Sequence, residues 1–358
     1  MDQIYGHTRI KQKLAYASRH GRLHHAYLFV GPKGVGKASL ARGFVKTLYC
    51  ERFDPDGGNF CACGQCEMCL RFDRSVAFFR NHVKTNYFSS SGQKEPDKPI
   101  AALGLPDYME IEDGKAMLSV DVIRLLQEKL SHALYGAPHR YVLIPEASKM
   151  NVSAANCLLK TLEEPTTDTT FILTTSQPER LLPTVVSRCQ LIRFAAFEHG
   201  EVEAWLRTRY PDAQDYVIAQ VATMASGSLG NAIELMEGED RDAILSAFQK
   251  IINERDAIEA LCAAAELKGK KQIFVPVVRL LMLFLRDILL VQTVDASHIV
   301  LRHHQDLIVR CATACSPDDV MRSMEAIGTC YEAFLGNGNE LLLWERLALS
   351  FQRVLFKR

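Results

Sequence analysis

Hydrophobic positions fall into two regimes along the chain. Up to about residue 197, short apolar runs alternate with helix-spaced stretches; beyond it only helix spacing persists. The run Ala26-Tyr27-Leu28-Phe29-Val30 ends in a glycine-rich turn and predicts a buried strand. From Ala38 to Leu48, the residues Leu40, Phe44, Val45 and Leu48 repeat at helical spacing. Strand, glycine turn and helix open a parallel α/β sheet. Val120 to Leu130 reads as a helix and Tyr141 to Ile144 as a strand. Residues 153–164 carry the stripe Ala155, Leu158, Leu159, Leu162, with Ser153 or Asn151 as cap and Pro165 as stop. Strands at Phe171 to Thr175 and Gln190 to Phe194 complete the sheet. Residues 75–104 are polar and irregular and predict a mobile insertion.

In the second regime Val202, Trp205 and Leu206, then Val217, Ile218, Val221 and Met224, repeat at helical spacing. The apolar stretch Phe274 to Leu290 is broken by Arg279, Arg286 and Asp287, which predicts a buried helix rather than a membrane span. A small helical unit at about 198–240 and a larger one from about 241 onward fit the pattern.

Composition narrows the function classes. Lys plus Arg and Asp plus Glu each number 42 in 358 residues, so the formal net charge is zero. That disfavours a strongly basic glove around nucleic acid. No apolar run reaches the length of about 18 residues that a span needs. Met1 to His7 lacks the charged and apolar regions of a signal peptide, so the expected location is the cytoplasm. Eleven cysteines in a reducing compartment then predict buried thiols or metal ligands, not disulfides.

Two clusters carry candidate chemistry. Gly31-Pro32-Lys33-Gly34-Val35-Gly36-Lys37 matches the first part of a phosphate-binding loop, with Gly31, Gly34, Gly36 and Lys37 as its anion-holding positions. The next residue should offer a hydroxyl to Mg²⁺ but is Ala38. Ser39 does not replace it, because one helical residue turns the side chain by about 100°. The strand Tyr141 to Ile144 should lead into an Asp that holds the metal shell, yet Pro145-Glu146 follows. These losses predict a nucleotide-binding fold without hydrolysis, with weak nucleotide binding still allowed; a chance match of the loop motif and hydrolysis through an unusual metal shell are the other readings. The second cluster is Cys63-Gly64-Gln65-Cys66-Glu67-Met68-Cys69, preceded by Cys50 at the end of the first predicted helix. Cys50, Cys63, Cys66 and Cys69 have the spacing of a closed tetrahedral Zn²⁺ site. Cys61 is a fifth candidate that could replace Cys63 or Cys50; buried or redox-active thiols are the alternative. The other six cysteines read as buried small hydrophobes.

The chain resembles the bacterial DNA polymerase III clamp-loader family of AAA+ proteins. The resemblance rests on Gly21-Arg22-Leu23-His24-His25-Ala26-Tyr27-Leu28-Phe29, the cysteine cluster after the first helix, Leu158-Leu159-Lys160-Thr161-Leu162-Glu163-Glu164-Pro165, and Ser187-Arg188-Cys189 after Leu182-Pro183-Thr184. These motifs cover about 1–240, whereas 241–358 matches only in length and helicity. The resemblance implies a RecA-like α/β AAA+ domain at 1–197, with a zinc module at 50–69 and an insertion at about 75–104. It further implies a helical lid at 198–240 and an all-α collar for oligomerisation at 241–358. The ATPase branch of the family, gamma/tau, carries Ser or Thr, Asp and a sensor Arg where this chain has Ala38, Pro145 and Gly230. The chain therefore resembles the non-hydrolysing stator branch, delta-prime. The resemblance implies that Arg188 serves in trans as an arginine finger, with Ser187 and Cys189 fixing its loop; a structural arginine is the plainer reading of the residue alone. Implied partners are gamma/tau and delta subunits, and through them the sliding clamp and primed DNA. A gamma/tau-like ATPase and a zinc-dependent DNA-binding module are the competing functions.

Overall fold

The computed structural model describes residues 4–53, 61–82, 107–111, 117–134, 136–164, 168–238, 240–253, 256–294 and 299–355. The chain divides into two compact units, Met1–Ala196 and Phe197–Arg358.

The first unit is built on five parallel strands: β1 (Ala26–Val30), β2 (Tyr108–Glu110), β3 (Arg140–Ile144), β4 (Thr169–Thr175) and β5 (Gln190–Arg193). Their order is β2-β3-β4-β1-β5, so β1 lies between β4 and β5, with Leu28 opposite Leu173 on one side and Leu191 on the other. All residues of β1, β3 and β4 are buried, which explains why these strands read as unbroken apolar runs rather than alternating ones. Around the sheet lie α1 (Thr8–Arg19), α2 (Lys37–Tyr49), α3 (Glu67–His82), α4 (Val120–Leu130), α5 (Val152–Glu163) and the short α6 (Pro183–Ser187). Helices α4 and α5 bury Val122, Ile123, Leu126, Leu158 and Leu162 in one core with Leu28, Val142, Phe171 and Leu173. Asn151 is the cap of α5, accepting from the Ala154 N–H at 2.7 Å.

Several expectations change. Residues 75–82, expected to be irregular, continue α3 to His82, and the rest of the predicted insertion lies outside the described residues. Pro165, the expected stop of α5, is also outside them. The last strand ends at Arg193, one residue before the expected Phe194. Helix α1 and strand β2 gave no pattern signal: α1 buries only Leu14 and Ala15, and β2 is three residues long.

Within the second unit the described elements are all helical: α7 (His199–Arg209), α8 (Asp215–Ala225), α9 (Leu229–Glu237), α10 (Asp240–Asn253), α11 (Ala257–Glu266), α12 (Lys271–Thr293), α13 (Gln305–Ala314), α14 (Pro317–Leu335) and α15 (Glu340–Leu355), with a short 3-10 turn before α13. The expected buried helix is α12, which packs Phe274 against Phe334 and Trp344, and Phe284 against Phe248 and Phe351. Asp287, one of the charges that break its apolar run, is fully buried and accepts the Val300 and Leu301 N–H groups at 3.0 and 2.8 Å. Among the six remaining cysteines, Cys311, Cys315 and Cys330 are buried as expected, Cys157 and Cys189 only partly, and Cys262 is exposed.

Candidate functional site

The phosphate-type loop joins β1 to α2. Gly34 and Gly36 adopt φ of 75° and 94°, a region closed to most side chains, and Gly36 sits at the N-cap of α2. Gly31 meets a different constraint. A Cβ there would fall 2.4 Å from the Phe194 carbonyl oxygen, so only glycine lets the loop pass the end of β5. The imidazole of His7 reaches the Val35 carbonyl at 2.8 Å and lies edge-on to Phe194. His7 is thus part of the loop's support, and sequence reading missed it because α1 precedes the motif without any spacing signal.

Lys37 is buried and its ammonium turns back onto its own loop. It donates to the carbonyls of Gly31 at 2.7 Å and Pro32 at 2.8 Å, and stands 3.8 Å from the Glu146 carboxylate. Burial lowers its pKa, and the Glu146 charge pulls it partly back up. Glu146 is held in the left-handed region at φ 46° and accepts from the Ser176 N–H and hydroxyl at 3.2 and 3.0 Å. Ala38 offers no side-chain oxygen, Ser39 beside it is exposed, and Pro145 offers no carboxylate. The loop can cradle an anion through backbone N–H groups, but the two positions that should hold a divalent cation carry no ligand atom. Gly230, where the resemblance expects a sensor arginine, lies at the start of α9 in the second unit; Ser228 caps that helix through the Asn231 N–H.

Cys50, at the end of α2, meets Cys63, Cys66 and Cys69 at the start of α3. Their four Sγ atoms lie within 4.8 Å of one another. Cys61 stays outside this group; it is exposed and its thiol lies near the Ala62 carbonyl. Backbone donors converge on the sulfurs: the Gln65 and Cys66 N–H groups reach Cys63 at 3.5 and 3.3 Å, and the Cys63 N–H reaches Cys50 at 3.3 Å. The Gln65 and Cys66 donors pull the Cys63 thiol down to about 6, while burial pushes Cys50 and Cys69 up. Four sulfurs with N–H groups aimed at them fit a thiolate-bound metal. Tetrahedral Zn²⁺ at about 2.3 Å from each sulfur separates neighbours by about 3.8 Å, and Cys50 and Cys66 Sγ are 4.0 Å apart.

Arg188 follows the last turn of α6, where Pro183 occupies the first turn. The Thr184 carbonyl accepts from both the Ser187 hydroxyl at 3.1 Å and Arg188 Nη1 at 3.0 Å. Arg188 Nη2 meets Glu163 Oε1, at the end of α5, at 2.5 Å. The guanidinium remains about one-third exposed. Cys189 packs against the core, and burial raises its thiol to about 12. His25 sits under the same loop; burial lowers its pKa and the neighbouring His24 adds to this, while the Arg188 carbonyl acts in the opposite sense. Glu163 belonged to a recognised motif, but nothing in the sequence paired it with Arg188.

A family model described as "DNA polymerase III, delta subunit" matches residues 6–198. The DNA polymerase III subunit delta' of Pseudomonas aeruginosa is 31% identical over 244 residues, covering 66% of this chain and 64% of that protein. The chain therefore spans just under two thirds of that relative's length. The subunit delta' of Bacillus subtilis is 27% identical over 356 residues, covering 95% of this chain and 94% of that protein. The subunit tau of Bacillus subtilis is 27% identical over 271 residues, covering 74% of this chain and 41% of that protein.

Proposed function

This chain belongs to the DNA polymerase III delta subunit family, and from that membership we propose that it is the stator of a clamp loader: a subunit that does not hydrolyse ATP and lends Arg188 to a neighbour's ATP site. The observation that carries this reading is the phosphate loop. Lys37 is satisfied by Gly31, Pro32 and Glu146 within its own site, and Ala38 and Pro145 leave no ligand for Mg²⁺. Phosphoryl transfer from ATP relies on that metal to neutralise charge between the β- and γ-phosphates.

Arg188 supplies the other half. In the reacting partner, charge builds on the oxygens of the transferring phosphoryl group. A guanidinium placed there in trans is worth about 10³–10⁵ in rate, and its planar, permanently charged fork suits the task. The partners on this reading are gamma/tau ATPase subunits and a delta subunit, acting together on a sliding clamp and primed DNA in the bacterial cytoplasm. Residues 198–240 act as the lid and 241–358 as the collar. Zn²⁺ held by Cys50, Cys63, Cys66 and Cys69 plays a structural part, since four protein thiolates leave no open position. No described helix is long and apolar enough to cross a membrane.

A gamma/tau-like ATPase is the second reading, favoured by the similarity to a tau subunit. Steady-state hydrolysis by the purified chain separates the two. The stator reading expects no ATPase above background, with or without Mg²⁺. Turnover that disappears in Lys37→Ala would instead establish an ATPase.

A further inference from the structure

We propose that Glu163 is a positioning residue for the Arg188 guanidinium, a role that rests on the reading of Arg188 as a finger. Helix α5 runs from Val152 to Glu163, so Glu163 and the capping residue Glu164 place two carboxylates at its C-terminal end. The macrodipole makes that end negative and disfavours anions there. Helix stability therefore gives no reason for an acid at this position. What Glu163 does have is a partner: its Oε1 stands 2.5 Å from Arg188 Nη2.

The contact completes a two-point hold. Arg188 Nη1 is tied to the Thr184 carbonyl of its own turn at 3.0 Å, and Nη2 is tied to a carboxylate on another helix. Bonds on two nitrogens fix both the direction and the plane of the guanidinium. An arginine has five N–H donors in a rigid fork, so this hold leaves donors for phosphoryl oxygens. The pair is 34% and 47% exposed, a setting in which an ion pair adds little to folding. Its effect is on order. A free arginine side chain loses rotamer freedom when it docks, and holding it in advance lowers that cost at the moment of reaction.

The test uses the full chain reassembled with its gamma/tau and delta partners, clamp and primed DNA, at equal assembly by sizing and equal folding by circular dichroism. ATPase kcat and KM are measured for wild type, Glu163→Ala, Glu163→Gln, Arg188→Ala and the Glu163→Ala/Arg188→Ala pair. The reacting ATP binds the partner's own loop, so the loss belongs in kcat with KM for ATP near wild type. Glu163→Ala should lower kcat at the site that Arg188 serves by about 10-fold, less than the roughly 10²-fold that a 1 Å misplacement can cost. Glu163→Gln keeps an oxygen for the guanidinium and should recover most of that loss. The double variant should be no worse than Arg188→Ala, because Glu163 has nothing left to position. Wild-type kcat in Glu163→Ala beside a defective Arg188→Ala would overturn the role of Glu163 and leave the finger standing. A rise in kcat for Glu163→Ala would overturn it too, by making the carboxylate a competitor of the phosphate. Additive losses in the double variant would make Glu163 merely structural. No effect of Arg188→Ala would remove the finger itself and this proposal with it.

Discussion

At the scale of single residues, the first unit depends on positions where chemistry leaves one choice. Gly31 is the sharpest case, because its missing Cβ admits the Phe194 carbonyl to the start of the loop. The contact is with backbone, and that backbone is fixed by the pairing of Val30 with Arg193 and by the Phe194 N–H donating to Val30 at 2.7 Å. Relief by a rotamer change is therefore closed. Gly31→Ala should destabilise the first unit by about 1–3 kcal/mol, the usual cost of overpacking, seen as a lower midpoint of denaturant unfolding. An unchanged midpoint would mean that the β5 terminus yields at no cost. Lys37 teaches a related point. Its identity was legible in the motif, but its engagement by Gly31, Pro32 and Glu146 was not, since it depends on where the end of β3 meets the loop.

At the scale of elements, legibility followed the source of stability. Strands β1 and β4 and helix α5 are held by apolar burial, which writes itself into the sequence as runs and stripes. Strand β2 is held otherwise. Glu110 accepts from the Tyr108 hydroxyl at 2.7 Å and from Arg42 Nε at 3.0 Å, while Arg140 and Asp107 stand 3.7 Å apart beside it. Buried polar partners distant in sequence give no periodicity, so this edge strand could not be read in advance. The cysteine cluster lies between these cases. Spacing named the region, and geometry then separated Cys63, within the group of four, from the exposed Cys61. A metal there would tie the end of α2 to the start of α3, and binding energy at such a site is folding energy for the segment it closes. Protein purified without chelator should contain one zinc per chain by elemental analysis. Cys63→Ser should lose the metal and lower the unfolding temperature of the first unit, whereas Cys61→Ser should keep both. Metal-free wild-type protein of undiminished stability would remove zinc from the account.

At the scale of the whole molecule, the two units place different demands on one test. The finger reading locates the chain's chemistry in another subunit's site, so its removal should be silent until the complex is assembled. Arg188→Ala deletes a guanidinium that is one-third exposed and paired with a half-exposed carboxylate. Such a change should alter the stability of the isolated chain by no more than about 0.5 kcal/mol. The cysteine cluster sits between the end of α2 and the first turn of α3 and does not include the Arg188 loop, so metal content should not change. On the stator reading the isolated chain has no ATPase to lose. In the reassembled loader, one ATP site would lose its transition-state cation while the others keep arginines supplied by the ATPase subunits themselves. Total ATPase should then fall only in part. Clamp loading requires the sites to act together, so it should fall further than ATPase does. Wild-type and Arg188→Ala complexes, matched for assembly by sizing, would be compared for both activities on primed DNA. Equal ATPase and equal loading would make Arg188 a structural residue that caps α6, and the trans-acting role would have to be given up.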